Sequence, residues 1–146
     1  MPDTPVALVT GATGDIGRST SMALAKEGFR LILIGRDQSR LERAQRELDR
    51  SESEVRVLKM QGTVHEGEET RAVEEAVEAL GGRLDVLVAS SGGINHFGRW
   101  DQVPDEAWHE AFQVNLLDNV ALLRAAVPLM RGTNPRVILI GSFVAT

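Results

Sequence analysis

The 146-residue sequence has no cysteine, no tyrosine and only two lysines, Lys26 and Lys59, and its aromatic residues make up 4% of the chain. Without cysteine, a disulfide framework, a thiolate nucleophile and cysteine-ligated zinc or iron–sulfur centres are all excluded. Basic charge is in the minority: 16 Lys and Arg against 21 Asp and Glu leave a net charge of −5. That balance argues against a broad nucleic-acid surface, which needs a basic face to neutralise phosphates. No apolar run reaches the roughly 20 residues of a membrane-spanning helix. The opening Met1-Pro2-Asp3-Thr4-Pro5-Val6 lacks the basic segment and apolar stretch of a secretion signal. A cytoplasmic protein with neither nucleic-acid nor membrane partners is therefore expected. What remains, 42% hydrophobic and 25% charged residues, is ordinary globular composition, and the length suits one domain spanning residues 1–146.

Short apolar runs alternate with longer amphipathic ones. Val6–Val9, Leu31–Ile34, Leu84–Ala89 and Val137–Ile140 are rich in Val, Ile and Leu on both alternating faces. They read as strands buried on both sides of a sheet, with Val55–Met60 as a weaker fifth. Between them, Ile16–Glu27 places Ile16, Thr20, Ala23 and Leu24 on one helical face and closes at Gly28. Residues 38–50 and Glu66–Leu80 repeat the pattern. A long helix is expected from Pro104 through Trp108, Phe112, Leu116 and Leu123 to about Met130. Strand and helix in strict alternation predict a doubly wound α/β fold, a Rossmann-like parallel sheet with helices on both faces. In such sheets ligands bind beyond the carboxyl ends of the strands, so chemistry is sought in the turns after Val9, Ile34, Met60, Ala89 and Ile140.

The first of these turns, Thr10-Gly11-Ala12-Thr13-Gly14-Asp15-Ile16-Gly17, lies between a strand and a helix. Glycines there allow a tight turn and let a diphosphate approach the free N–H groups at the helix start. The position reads as a nucleotide site formed by Gly11, Thr13, Gly14, Asp15, Ile16 and Gly17.

Here the sequence resembles the short-chain dehydrogenase/reductase family, and the resemblance covers essentially the whole chain. The family signature T-G-x-x-x-G-x-G, or T-G-x-x-G-x-x-G in its extended branch, is matched by Thr10, Gly11 and Gly17, with Gly14 at the extended spacing and Asp15 where the larger branch has glycine. A carboxylate about 4 Å from a phosphate costs roughly 4 kcal/mol at an effective dielectric near 20, so either Asp15 turns outward, the expected case, or dinucleotide binding is weakened. The resemblance implies a five-stranded sheet in the order 3-2-1-4-5 and a nicotinamide dinucleotide cofactor. Gly35-Arg36 resembles the family's NADP-type second turn, where arginine pairs with a 2′-phosphate; NADP is the expected cofactor, with NAD the alternative. Thr63 and Val64 stand where the family has Asp-Val bracketing the adenine. Ala89-Ser90-Ser91-Gly92 stands where it has N-N-A-G, so Ala89, Ser90 and Gly92 are implied beside the nicotinamide ribose, with the asparagine contacts of the central sheet lost.

The same resemblance assigns catalytic positions. Asn115, in Phe112-Gln113-Val114-Asn115-Leu116, matches the family's helical asparagine, and Ser142, after Ile138-Leu139-Ile140-Gly141, matches its substrate-orienting serine. The family's general acid, a tyrosine in Y-x-x-x-K, has no counterpart in these 146 residues. The chain is thus expected to be the cofactor-binding portion of an NAD(P)-dependent oxidoreductase, incomplete relative to the family, acting on a small carbonyl or alcohol. The competing expectation is a catalytically silent nucleotide-binding or protein-interaction module. Family members pair through the helix beginning near Pro104, which suits a homo-oligomer. His65 with Glu66, Glu68 and Glu69 reads as a solvated acidic face rather than a metal site, and His96 is a candidate for lining a substrate pocket.

Overall fold

A computed structural model of the chain describes residues 4–49, 53–60, 67–131 and 134–141. Five strands form one sheet: β1 (Val6–Thr10), β2 (Arg30–Gly35), β3 (Val55–Lys59), β4 (Val86–Ala89) and β5 (Arg136–Leu139). All neighbours pair in parallel, in the order β3-β2-β1-β4-β5. Helices α1 (Asp15–Lys26), α2 (Gln38–Leu48) and α3 (Glu68–Ala79) make the crossovers between strands. Parallel strands cannot be joined by tight hairpins, so each return needs such a helix. Among the described residues no helix is long and apolar enough to cross a membrane.

The alternation of side chains along each strand divides the core in two. Val6 and Leu8 of β1 point with Ile32, Ile34 and Leu87 toward Val73, Ala76, Val77 and Leu80 of α3 and toward Leu122, Ala125 and Ala126. Ala7 and Val9 point the other way, with Leu31, Leu33, Val86 and Val88, against Ala25 of α1 and Leu41, Ala44 and Leu48 of α2. Helices therefore cover both faces, which explains why the central strands are apolar at every position.

Two local expectations fail, and a third is refined. Helix α1 buries Gly17, Ser21 and Ala25, a row of small residues, while Ile16 is 56% exposed. The reason is close approach: Gly17 lies against the backbone of Gly11, and that contact rotates the small row inward and the larger Ile16 out. β5 is exposed along its length: it stands at the sheet edge, and none of its residues belongs to either apolar core cluster. The long helix runs over the expected span but is not uniform: α4 (Asp105–Phe112) passes through a wide π-helical turn, Gln113–Leu117, into α5 (Asp118–Ala126) and a closing 3-10 turn, Val127–Leu129; Trp108 and Phe112 are exposed.

Candidate functional site

The winding reverses at β1: α1 and α2 carry the chain to β2 and β3 on one side, and α3 carries it back to β4 on the other. The crevice beyond the carboxyl ends of β1 and β4 is where the connections diverge. A cavity of about 390 Å³ opens there, lined by Thr10, Gly11, Thr13, Gly14, Ile34, Gly35, Arg36, Asp37, Arg40, Met60, Ser90, Ser91, Gly92, Val114, Asp118 and Leu122.

The glycine turn forms one wall. Gly11 has φ +60°, and a Cβ placed on it would fall 2.7 Å from the Ser90 carbonyl oxygen; no larger residue fits between β1 and the segment after β4. The Gly14 amide donates to the Gly11 carbonyl at 2.9 Å. Gly14 then caps α1 without a side chain, which leaves amides at the helix start for an anion. A Cβ on Gly17 would lie 2.3 Å from the Gly11 oxygen, so helix and turn touch backbone to backbone. Asp15 and Ile16 sit exposed on the first turn of α1 and do not line the cavity.

The opposite side of the crevice is fastened by hydroxyls. Thr10 is buried at the end of β1. Its Oγ1 accepts from the amides of Ser90 and Ser91, both at 3.2 Å, and from the Ser91 hydroxyl at 2.8 Å, while Ser90 Oγ donates to the Thr10 carbonyl. The sheet contacts expected to be lost with the asparagines are thus supplied by a Thr–Ser–Ser cluster. Ala89 is the buried last residue of β4, its carbonyl accepting from the Ile140 amide at 3.0 Å.

Two residues after β2 part company. Asp37 caps α2: its Oδ1 accepts from the Arg40 amide at 3.0 Å and the Ser39 hydroxyl at 2.8 Å. Those bonds, the Arg40 amide first, hold its carboxyl below the usual value. Arg36, at the cavity edge, has neither a hydrogen-bond nor an ion-pair partner among the described residues. Arg40 reaches across to donate to the Thr13 carbonyl at 2.8 Å, so a second guanidinium lines the same opening. The sequence pattern did not single out Arg40, because nothing in its local sequence tells a solvated arginine from one that lines a cavity.

Asn115 lies in the π-helical turn. Its Nδ2 donates to the carbonyls of Gly93 and Ala111, each at 2.8 Å, and its Oδ1 accepts from the Gly93 amide at 3.0 Å. Both amide protons are thereby engaged, and the carboxamide ties the helix to the segment after β4. Its own carbonyl accepts from Asn119 Nδ2 at 2.9 Å. Thr63, Val64 and Ser142 lie outside the described residues. Among the described residues no cluster of His, Asp and Glu is arranged to hold a metal ion.

Comparison with known proteins gives a consistent result. The family model for short chain dehydrogenase matches residues 5–146. Dehydrogenase/reductase SDR family member 4 of Bos taurus is 33% identical over 147 residues, covering 98% of this chain and 50% of that protein. A short-chain type dehydrogenase/reductase from Mycobacterium ulcerans superposes with a TM-score of 0.87 at 28% identity, over 97% of this chain and 52% of the other. An NAD+-bound xylitol dehydrogenase superposes at 0.89 with 25% identity, over 97% and 54%. The chain spans about half the length of the curated relatives it matches.

Proposed function

Because the chain belongs to the short chain dehydrogenase family, we propose that it is the dinucleotide-binding part of an NAD(P)-dependent oxidoreductase acting on a carbonyl or secondary alcohol. The observation that carries this reading is the pairing of a backbone-lined glycine turn with an arginine that has no partner among the described residues, on one cavity. Gly11 and Gly17 leave room that a Cβ would fill, and uncapped helix amides face that room, which fits a diphosphate. A bound nicotinamide dinucleotide supplies the hydride chemistry. The residues of the chain bind and orient: the turn from Gly11 to Gly17 receives the diphosphate, Arg36 pairs with a 2′-phosphate, and Ser90 and Gly92 keep the path beside β4 narrow enough for a ribose. Arg36 favours NADP over NAD, since a guanidinium matches a phosphate bidentately.

Asn115 holds the segment after β4 against the helix, and Ser142 orients the substrate carbonyl. Neither side chain protonates an oxyanion efficiently. No tyrosine is present in the 146 residues, and a positioned general acid contributes about 10²–10⁴ in rate. These residues alone are therefore expected to bind the dinucleotide with negligible turnover. Exposed Trp108 and Phe112 of α4 and Leu116 of the π-helical turn support an association with a second copy through this helix.

Fluorescence titration of the purified chain with NADPH and NADH tests the reading. NADPH is expected to bind more tightly, and Arg36→Ala to weaken NADPH by about ten- to a hundredfold, the loss of a charge-assisted hydrogen bond, while leaving NADH unchanged. Binding of neither dinucleotide would remove the oxidoreductase reading and favour an interaction module.

A further inference from the structure

Arg36 is exposed at the edge of the large cavity, and it also lines a second, smaller one of about 20 Å³ on the side toward α4. That volume is room for about one water molecule. The other residues around it include Asn95 and His96 of the segment after β4, and Ala107, Glu110 and Ala111 of α4. Three- and four-residue spacing puts those helical residues on one side of α4, an acid beside two small side chains. Asn95 Nδ2 donates to Glu110 Oε1 at 2.5 Å. The carboxylate is thereby held at the small cavity instead of swinging free.

Neither Arg36 nor Glu110 enters an ion pair among the described residues, and the side chain of Glu110 has no hydrogen-bond partner there besides Asn95. Glu110 is the carboxylate that lines the small cavity. The acids of the large one are otherwise engaged, Asp37 as the cap of α2 and Asp118 with Gln113. A guanidinium and a carboxylate thus share a space one water wide. Opposite charges at that range attract without touching, more weakly as exposure and salt screen them. Because Arg36 lines both cavities, its guanidinium is drawn to whichever side offers the nearer negative charge.

We infer that Glu110 is the counter-charge of Arg36 in the free chain, and that a 2′-phosphate entering the large cavity has to draw the guanidinium away from it. The inference rests on the dinucleotide reading above. Glu110 is then a positioning residue: it acts through Arg36 and weakens phosphate binding. A dinucleotide without the 2′-phosphate gains nothing from Arg36 and is indifferent to Glu110. How strongly the chain prefers the phosphorylated dinucleotide is therefore set by two residues of opposite sign, one after β2 and one on α4, and not by the arginine alone.

The experiment titrates NADPH and NADH into wild type, Glu110→Gln, Arg36→Ala and the double variant, at about pH 8 so that histidine charge does not enter. Glu110 is exposed and outside both core clusters, and glutamine keeps the helix and an oxygen for Asn95 while removing the charge. Exposed pairs are modest in strength, so Glu110→Gln is expected to bind NADPH about two- to fivefold more tightly, with NADH unchanged. The gain is expected to shrink toward none in about 1 M salt, and to vanish when Arg36 is already alanine. An unaltered NADPH affinity, a gain shared equally by NADH, or a gain that survives salt or the loss of Arg36 overturns the inference; the cofactor reading then stands as long as Arg36→Ala weakens NADPH. Failure of Arg36→Ala to do so, or of wild type to bind either dinucleotide, removes both.

Discussion

Replacing Gly17 by alanine sets two well-known effects against each other. An exposed Gly→Ala change inside a helix ordinarily stabilises by up to about 1 kcal/mol, through propensity and lost freedom in the unfolded chain. At Gly17 the new methyl would stand 2.3 Å from the Gly11 carbonyl oxygen, 2.7 Å from the Gly11 carbonyl carbon and 3.0 Å from the Ala12 Cα. Ordinary contact begins near 3.5 Å, so α1 must retreat by about 1 Å from the turn. The obstructing atoms are backbone and cannot rotate away. That retreat strains the Gly14-to-Gly11 hydrogen bond and lifts Ser21 and Ala25, the other buried residues of α1, off the sheet. Overpacking of this kind costs about 1–3 kcal/mol, which outweighs the propensity gain. For a domain of this size the expected fall in Tm is about 2–8 °C, and NADPH affinity is expected to drop at least tenfold as the diphosphate cradle opens. Thermal unfolding by circular dichroism, with a parallel NADPH titration, reads both. Gly14→Ala is the control: its nearest contact is 3.4 Å and its φ of −85° suits any residue. A Gly17→Ala chain that melts above wild type with unaltered NADPH binding would refute the backbone-to-backbone contact.

Two further perturbations probe the ends of β1 and β2. Asp37 has its carboxyl held below the ordinary value by the Arg40 amide and the Ser39 hydroxyl, so its stabilisation is present above the unfolded carboxylate range and fades as pH falls through the lower folded value. Asp37→Asn keeps a cap of similar quality without the charge; its Tm is expected to decline less on acidification than that of wild type, and identical declines would show that this group does not contribute. Thr10→Val removes the buried oxygen that accepts from Ser90 and Ser91 and is expected to cost about 1–3 kcal/mol in urea unfolding, with Thr10→Ser retaining most of the stability. A valine variant as stable as wild type would mean the hydroxyl cluster does not hold the crevice.

Much of the architecture was legible because it depends on local pattern. Central strands buried on both faces must be apolar at successive positions, so β1 and β2 stood out within a residue at either end. The glycine spacing between β1 and α1 was readable for a similar reason: close backbone approach permits little else. Less legible were features that depend on which distant groups meet. Ile16 looked like a core residue by periodicity, yet Gly17 faces the turn and Ile16 faces outward. Val137–Ile140 resembled a two-sided strand, but β5 lies at the sheet edge and is exposed. The long helix gave no sign of its wide turn, because a π-helical step leaves the apolar periodicity nearly unbroken while shifting every later side chain around the axis.

At the site the same division holds. Arg36 and the glycine turn were found from position after a strand. Arg40 and Asp118 were not, since nothing in the local sequence tells a solvated charge from one that lines a cavity. The sequence by itself determined the order of strands and helices, the backbone-lined turn and the absence of a tyrosine, because these follow from residue identity and short-range spacing. Only the tertiary structure decided that Asp37 caps a helix while Arg36 stands at the cavity edge without a partner among the described residues, that Thr10 gathers Ser90 and Ser91, and that Asn115 fastens Gly93. Each of those bonds joins or frees groups according to how strands and helices dock, and docking is set by the packing of two apolar faces that no single segment contains.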